Sequence, residues 1–492
     1  MHRSTGLHKL VTAVVAFTLL GSALAGCGGE TTPTTGAGGA TGEATATTAT
    51  GGATGGEATA TTATGGEATA TTAGGAMTPA AGGAGGTSGV SDKYKGTTLN
   101  IVMANHAWNT GITPLLPQFE QASGIKLNVS SYGETQLSDQ LTVKFTSGGG
   151  DIDAFMFRPP QEGLLFANNG WLADIGSMAQ GASDWNWDDF QKAARGSVTF
   201  NSKVYGVPIV TEREILYYRK DLLQAKGIAV PKTLDEMMAA AEKLNDPNNG
   251  MYGFVARGQQ NPAVTQFSGY LYAYGGDWIK DGKSAIGSPE AVQAYKYYGD
   301  LLRKYGAPGV LNMNWPQAIG IFGQGKAAMY TDADSLYPNL LDKTKSVVTD
   351  KVGYAMFPAG PAGSHPYNVT SWALGVAKTS KNQDAAFEFV KWATSKDIVA
   401  QLQKGGLPGA RDSVWNSPDG TAGFPPELAK VIQESAAAGT DHDRPQVVHV
   451  SQARDIVGAP IVDSIQGKDV DASVKAADAK FNDFLKTDLQ TK

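Results

Sequence analysis

From about Thr97 onward the chain alternates between two hydrophobic periods. Leu99 to Ala104 is a short apolar run of strand type. Ile112, Leu115, Leu116 and Phe119 then follow the i, i+3, i+4, i+7 spacing of one helical face. Lys126 to Ser130, after a turn at Gly124, reads as a second strand. Leu137, Leu141 and Phe145 place one apolar stripe on a second helix, and Gly148-Gly149-Gly150 stops it. Ile152 to Phe157 is a third strand. This order predicts parallel βαβ units, and such sheets take ligands at the carboxyl ends of their strands. Farther on, Thr233 and Glu236 form a capping box. It opens a helix striped by Leu234, Met237, Met238 and Ala241. A later helix carries Ala386, Phe389, Val390 and Ala393 on one face. Roughly 395 residues of such patterning exceed what one core organises, so the expected fold class is α/β with two lobes.

Upstream the pattern is of another kind. Arg3 and Lys9 precede an apolar run from Leu10 to Leu20, followed by Leu24-Ala25-Gly26-Cys27. This is the layout of a secretory signal peptide, and the run is short for a permanent membrane span. The last four residues resemble the bacterial lipobox. That resemblance implies a lipoprotein signal peptide over 1–26 and a lipidated Cys27 anchored to the cell membrane, facing the periplasm or the cell surface. Residues 27–92 are then expected to be the lipidated Cys and a disordered tether rich in Gly, Ala and Thr. The segment GEATATTATGG recurs in near-copies around Glu43, Glu57 and Glu67, and no aromatic residue occurs between Phe17 and Tyr94. Such a stretch buries too little apolar surface to offset the entropy of ordering. About 65 flexible residues span roughly 40–50 Å.

Composition removes several function classes. Lys and Arg total 40 against 46 Asp and Glu, a net charge of −6. The basic footprint of a nucleic-acid binder is missing. One Cys allows no intrachain disulfide and no Cys-based zinc site, and the six His are scattered. Gly323-Gln324-Gly325-Lys326 lacks the spacing and the hydroxyl residue of a P-loop. Asp246 to Gly250 lacks the closing acid of a calcium loop. There is no Gly-x-Ser-x-Gly elbow. No cofactor, metal or nucleic acid is expected. A glycosidase would need two carboxylates facing across a cleft; Glu212 and Asp332 could in principle face each other, but nothing in the sequence marks a general acid.

A family resemblance appears at GVPIVTEREILYYRKDLL (206–223) and GIAVPKTLDEMMAAAEKL (227–244). FGQGKAAMYTDADSLY (322–337), DKVGYAMFPAG (350–360), SWALGVAKTSKNQDAAFEFVKWATS (371–395) and GGLPGARDSV (405–414) continue it in order. Arg444-Pro445 then opens a C-terminal helix pair. Together these resemble the extracellular solute-binding proteins of bacterial sugar ABC transporters, the maltodextrin-binding-protein superfamily. GMYGFVARGQ (250–259), YGAPGVLNMNW (305–315) and TSWALGVAK (370–378) resemble its polyol-type, sorbitol- and mannitol-binding members.

The resemblance implies a periplasmic-binding-protein fold with a hinge. Lobe one is expected at 97–212 plus 331–376, and lobe two at 217–328 plus 378–492. It implies a monomeric receptor, not an enzyme, that closes on a sugar or sugar alcohol and passes it to the transmembrane subunits of a permease. Other readings are a same-fold receptor for another solute such as a polyamine, or a surface glycan-binding or hydrolytic lipoprotein. A sugar offers rows of hydroxyls and an apolar C–H face, so its site needs carboxylates, Arg and Asn beside an aromatic ring. Strand-end placement selects Asn105 and Asn109 after the first strand, Glu134 after the second and Arg158 after the third. The resemblance adds Arg257, Asp332, Trp372 and Glu212 at positions where polyol-type relatives carry these residue types near ligand.

Overall fold

The computed structural model describes residues 90–149 and 151–488. The expected signal peptide, Cys27 and most of the tether lie outside the described residues. Among those described, no helix is long and apolar enough to cross a membrane.

Seven strands form the main sheet: β1 (Thr98–Ala104), β2 (Lys126–Tyr132), β3 (Ala154–Phe157), β4 (Val207–Arg219), β5 (Met329–Ala333), β6 (Val352–Met356) and β7 (Asn368–Val376). Their order is β6-β4-β7-β3-β1-β2, with β5 also on β4. β1 is parallel to both β2 and β3, as the βαβαβ reading requires. The first crossover helix is broken, however. Pro114 and Pro117 divide it into Ala107–Ile112, a tight turn Thr113–Leu115, and Leu116–Ser123. Each Pro sits in a first turn, where its missing N–H costs nothing. Helix Glu134–Thr146 makes the second crossover.

β4 is the long element that ties the molecule together. Its first half pairs with β7, Val207 opposite Leu374 through Arg213 opposite Asn368. Its second half pairs with β5 and β6, Glu214 to Tyr218 opposite Ala333 to Met329 on one side. Alternation along this second half splits the surroundings in two, as a pleated strand must. Leu216 and Tyr218 enter one apolar cluster with helices Gln260–Ala273, Pro289–Tyr305, Val450–Ile465 and Val470–Thr487. Ile215 and Tyr217 enter another with Phe322, Tyr330, Leu340, Val352 and Tyr354. A separate cluster built on β1, β3 and the start of β4 contains Ile101, Phe119, Phe155, Val207 and Val210. The first half of β4 therefore serves one core and its second half two, a two-lobed α/β architecture.

Two segments distribute differently from the expected division. Tyr337, Leu340, Val348, Val352 and Tyr354 pack in the second lobe, because β5 and β6 hydrogen-bond to the second half of β4. Residues from Ala385 to Ala410 pack in the first lobe. Helix Gln383–Ala393 follows directly on β7, and its Phe389 and Trp392 rings lie 5.5 and 5.2 Å from Phe119. The crossing point is fixed by a buried ion pair. Arg213 donates to Asp334 Oδ2 at 3.0 Å, to Gln191 at 3.0 Å and to Thr211 at 2.6 Å.

Candidate ligand-binding cleft

The carboxyl ends of β1, β2 and β3 assemble one wall. Asn105 follows β1 and is exposed, with its backbone N–H on the Tyr132 carbonyl at 2.7 Å. His106 caps the next helix by accepting the Trp108 N–H on Nδ1 at 3.0 Å. Burial pushes its imidazole down to about 4, so it is neutral at physiological pH. Its ring lies 5.4 Å from that of Trp372. Arg158, after β3, sits 5.7 Å from the Trp372 ring. It is held by Glu162 at 3.0 Å, by Ser138 at 2.7 Å, and at 3.6 Å by Glu134, the exposed first residue of its helix. Trp372 lies on β7 where a bulge shifts the register against β4, and it is 4% exposed. Asn109, half-buried, is tied to the carboxyl ends of β1 and β2. Its amide donates to the Ala104 carbonyl at 3.1 Å and Ser131 at 2.9 Å, and its oxygen accepts from Thr113 at 3.0 Å.

The second lobe supplies an acid–base group around β5. The Arg257 guanidinium grips Asp332 with two bonds, one of them Nε to Oδ2 at 2.8 Å. Asp332 is fully buried and also accepts from Tyr330 at 2.5 Å and the Ala333 N–H at 2.8 Å. Both partners belong to one lobe: Val255 and Tyr330 pair two residues before each of them. Gln266 fixes the Arg257 backbone at 2.7 Å. Glu212 stands at the crossing on β4, half-buried, accepting the Ser335 hydroxyl at 2.6 Å. Burial raises its carboxyl to about 7, against the Ser335 bond and with help from nearby Asp334. Near neutral pH it can therefore accept from or donate to a hydroxyl. Glu212 and Asp332 do not make a glycosidase pair, since Asp332 is closed off by its four bonds to the protein.

Sequence reasoning missed the groups that join the two walls. Gln161, one turn beyond Arg158 on Pro159–Gly163, accepts from Arg444 at 2.8 Å and from Arg454 at 3.3 Å. Both arginines also donate to Thr265, at 3.1 and 3.2 Å. Beside them, Leu164 and Phe200 of the first lobe pack on Val448. A small cavity of about 30 Å³, open to solvent, lies here, lined by Pro159, Gln161, Phe200, Asp441, His442 and Arg444 among others. Arg444-Pro445 marked this segment in the sequence, but only as the start of a helix pair.

A cleft between two α/β lobes, with polar side chains at strand ends, is the arrangement the sequence motifs implied. The model of the family described as bacterial extracellular solute-binding protein matches residues 105–400. The chain belongs to this family. Its description places its members outside the cytoplasm, and they bind solutes rather than transform them. The mannitol-binding protein of Pseudomonas aeruginosa is 29% identical over 332 residues, covering 66% of this chain and 73% of that protein. A solved solute-binding protein from Agrobacterium radiobacter K84, in complex with ribitol, is similar with a TM-score of 0.70 and 28% identity. That match covers 79% of this chain and 99% of the other. Maltose-bound MalE3 of T. maritima is similar with a TM-score of 0.68 and 25% identity, over 79% of this chain and 100% of the other. Similar folds therefore accompany both linear polyols and a disaccharide. In this solute-binding protein the candidate residues Asn105, Glu134, Arg158 and Trp372 gather on one wall. Glu212 stands at the crossing, Arg257 and Asp332 pair behind the other wall, and Asn109 is bonded to Ala104, Ser131 and Thr113.

Proposed function

We propose that this solute-binding protein captures a sugar or sugar alcohol between its lobes and delivers it to the membrane permease of an ABC importer. The observation that carries the reading is the wall on Trp372. An indole, with a guanidinium and a neutral imidazole against it and Glu134 3.6 Å from that guanidinium, sets an aromatic ring beside directed polar groups. That combination suits a polyhydroxylated ligand. A relative named for mannitol and a similar structure solved with ribitol support a linear polyol as the preferred class. Arg158, Glu134, Asn105 and Glu212 would take hydroxyls. Trp372 would cover the C–H face. Arg257 and Asp332 would hold the wall in place as much as touch ligand, because their polar atoms are already engaged. The protein would act as a monomer, with Cys27 as its lipid anchor to the cell membrane.

A thermal-shift screen of the full chain against hexitols, pentitols, hexoses, disaccharides and polyamines, with calorimetry on each hit, tests this. Ligand at a thousandfold excess over Kd stabilises the folded state by about 4 kcal/mol. A large shift with a hexitol or pentitol is the expected outcome. A shift with a polyamine alone would move the protein to another ligand class.

A further inference from the structure

Arg454 is an exception among the arginines of this protein. Every other described arginine has a carboxylate within 4.0 Å. Arg454 has none among the described residues, yet it is 92% buried by its 8% residual exposure. Its three bonds go to neutral oxygens: the Asn261 carbonyl at 3.0 Å, Thr265 at 3.2 Å and Gln161 at 3.3 Å. A buried charge without a counter-charge is costly, because neither water nor a paired ion replaces its lost hydration. Burial and the neighbouring Arg444 hold its guanidinium well below the ordinary arginine range, with Arg257 and Arg158 adding to the effect against Asp443.

The geometry around Gln161 shows where a negative group would go. Its amide oxygen accepts from two guanidiniums at once, Arg444 from one side and Arg454 from the other. Arg444 has its own carboxylate in Asp443, which it grips through Nε at 2.7 Å and a second bond. The remaining donors of both arginines converge on Gln161 and Thr265. A carboxamide is planar and close in shape to a carboxylate. It fills the position without supplying the charge that two guanidiniums favour. Gln161 and Arg444 also line the small solvent-open cavity, beside Asp441, so solvent reaches the Gln161 side of the cluster.

We propose that the cleft prefers a polyhydroxylated carboxylic acid, an aldonate or uronate, over the corresponding sugar alcohol, with the carboxylate displacing Gln161 between Arg444 and Arg454. This rests on the reading of the cleft as a site for polyhydroxylated ligands and narrows it to acids. The hydroxyls would lie toward Arg158 and Trp372, one helical turn from Gln161. The carboxylate would provide the directly bonded counter-charge that Arg454 lacks, Asp443 acting on it only from a distance.

The test compares matched probes on the full chain by calorimetry: D-glucitol against D-gluconate, and D-mannitol against D-mannonate. The acid is expected to bind at least about tenfold more tightly at low ionic strength, as a charge-assisted pair should, with the advantage shrinking as salt rises. Arg454→Gln should abolish the acid-over-alcohol ratio. Gln161→Glu gives a readout without ligand: a carboxylate placed between the two arginines should raise the melting temperature and weaken the acid. If the alcohol binds as tightly as the acid or better, the acid preference falls while the polyhydroxylated reading stands. If neither binds and a polyamine does, both fall. A lowered melting temperature for Gln161→Glu would also overturn the proposal, because it would mean the position does not favour negative charge.

Discussion

Glu212 keeps its proton to about pH 7 in the folded chain because burial disfavours its anion, whereas an unperturbed glutamate releases it near 4.5. A raised carboxyl pKa contributes stability below the unfolded value and loses it as pH rises through the folded value. Stability should therefore fall between pH 4.5 and 7.5 by about 3 kcal/mol on account of this one residue. Glu212→Gln should flatten that slope, measured by urea unfolding at pH 5 and pH 8. An unchanged slope would place the ionised carboxylate in water. His106 runs the other way. Its pKa is depressed to about 4, so its contribution is present above pH 6.5 and is lost as pH falls through 4. Its ring signals in an NMR titration should not move between pH 8 and pH 5. Neither shift was legible in the sequence, since each depends on what packs around the group. What the sequence did supply was residue type at strand ends. Asn105, Glu134 and Arg158 all fall on the Trp372 wall, whereas the amide of Asn109, four residues beyond Asn105, is already engaged by Ala104 and Ser131.

Among the elements, β4 and helix Gln260–Ala273 carry the sharpest constraints. Gly269 lies mid-helix, where Ala would ordinarily stabilise by about 1 kcal/mol. Here a Cβ would meet the Glu214 carboxyl of β4 at 2.2 Å. Gly269→Ala should instead destabilise by about 1–3 kcal/mol through overpacking, and a Glu214→Ala background should restore the helix gain. Chemical denaturation of the two variants decides it. Glu214 is itself fully buried, and burial with the nearby Asp332 charge holds its carboxyl well above the usual range. At the crossing, Arg213→Met would leave Asp334 buried without its partner. The expected loss is about 3–5 kcal/mol, larger than for any exposed ion pair such as Lys486–Asp483. The helices were readable by period and cap, including the Thr233 box with both its bonds formed. The break at Pro114 and Pro117 was written in the same stretch, and the apolar spacing alone passed over it.

For the whole molecule, function depends on the two lobes meeting. Leu164 and Phe200 on one side and Val448 on the other form a small apolar contact across the cleft. If ligand selects the closed arrangement, a change that weakens only this contact should weaken every ligand alike. Val448→Ser should raise Kd by about tenfold across a set of ligands without reordering them. A reordering would mean that Val448 touches ligand rather than the opposite lobe.

The sequence by itself determined the α/β class, the parallel start of the sheet, the polar residues at its strand ends and, through motifs in order, the family. These are properties of local period and local residue type, which survive without knowledge of partners. Only the tertiary structure decided how 331–356 and 385–410 divide between the lobes, because that depends on which half of β4 each segment pairs with. It also decided that Gln161, Thr265, Arg444 and Arg454 meet, though up to 293 residues separate them. Contacts at that separation leave no periodic trace in the chain; they arise when two lobes, each folded around its own half of one long strand, bring their surfaces together.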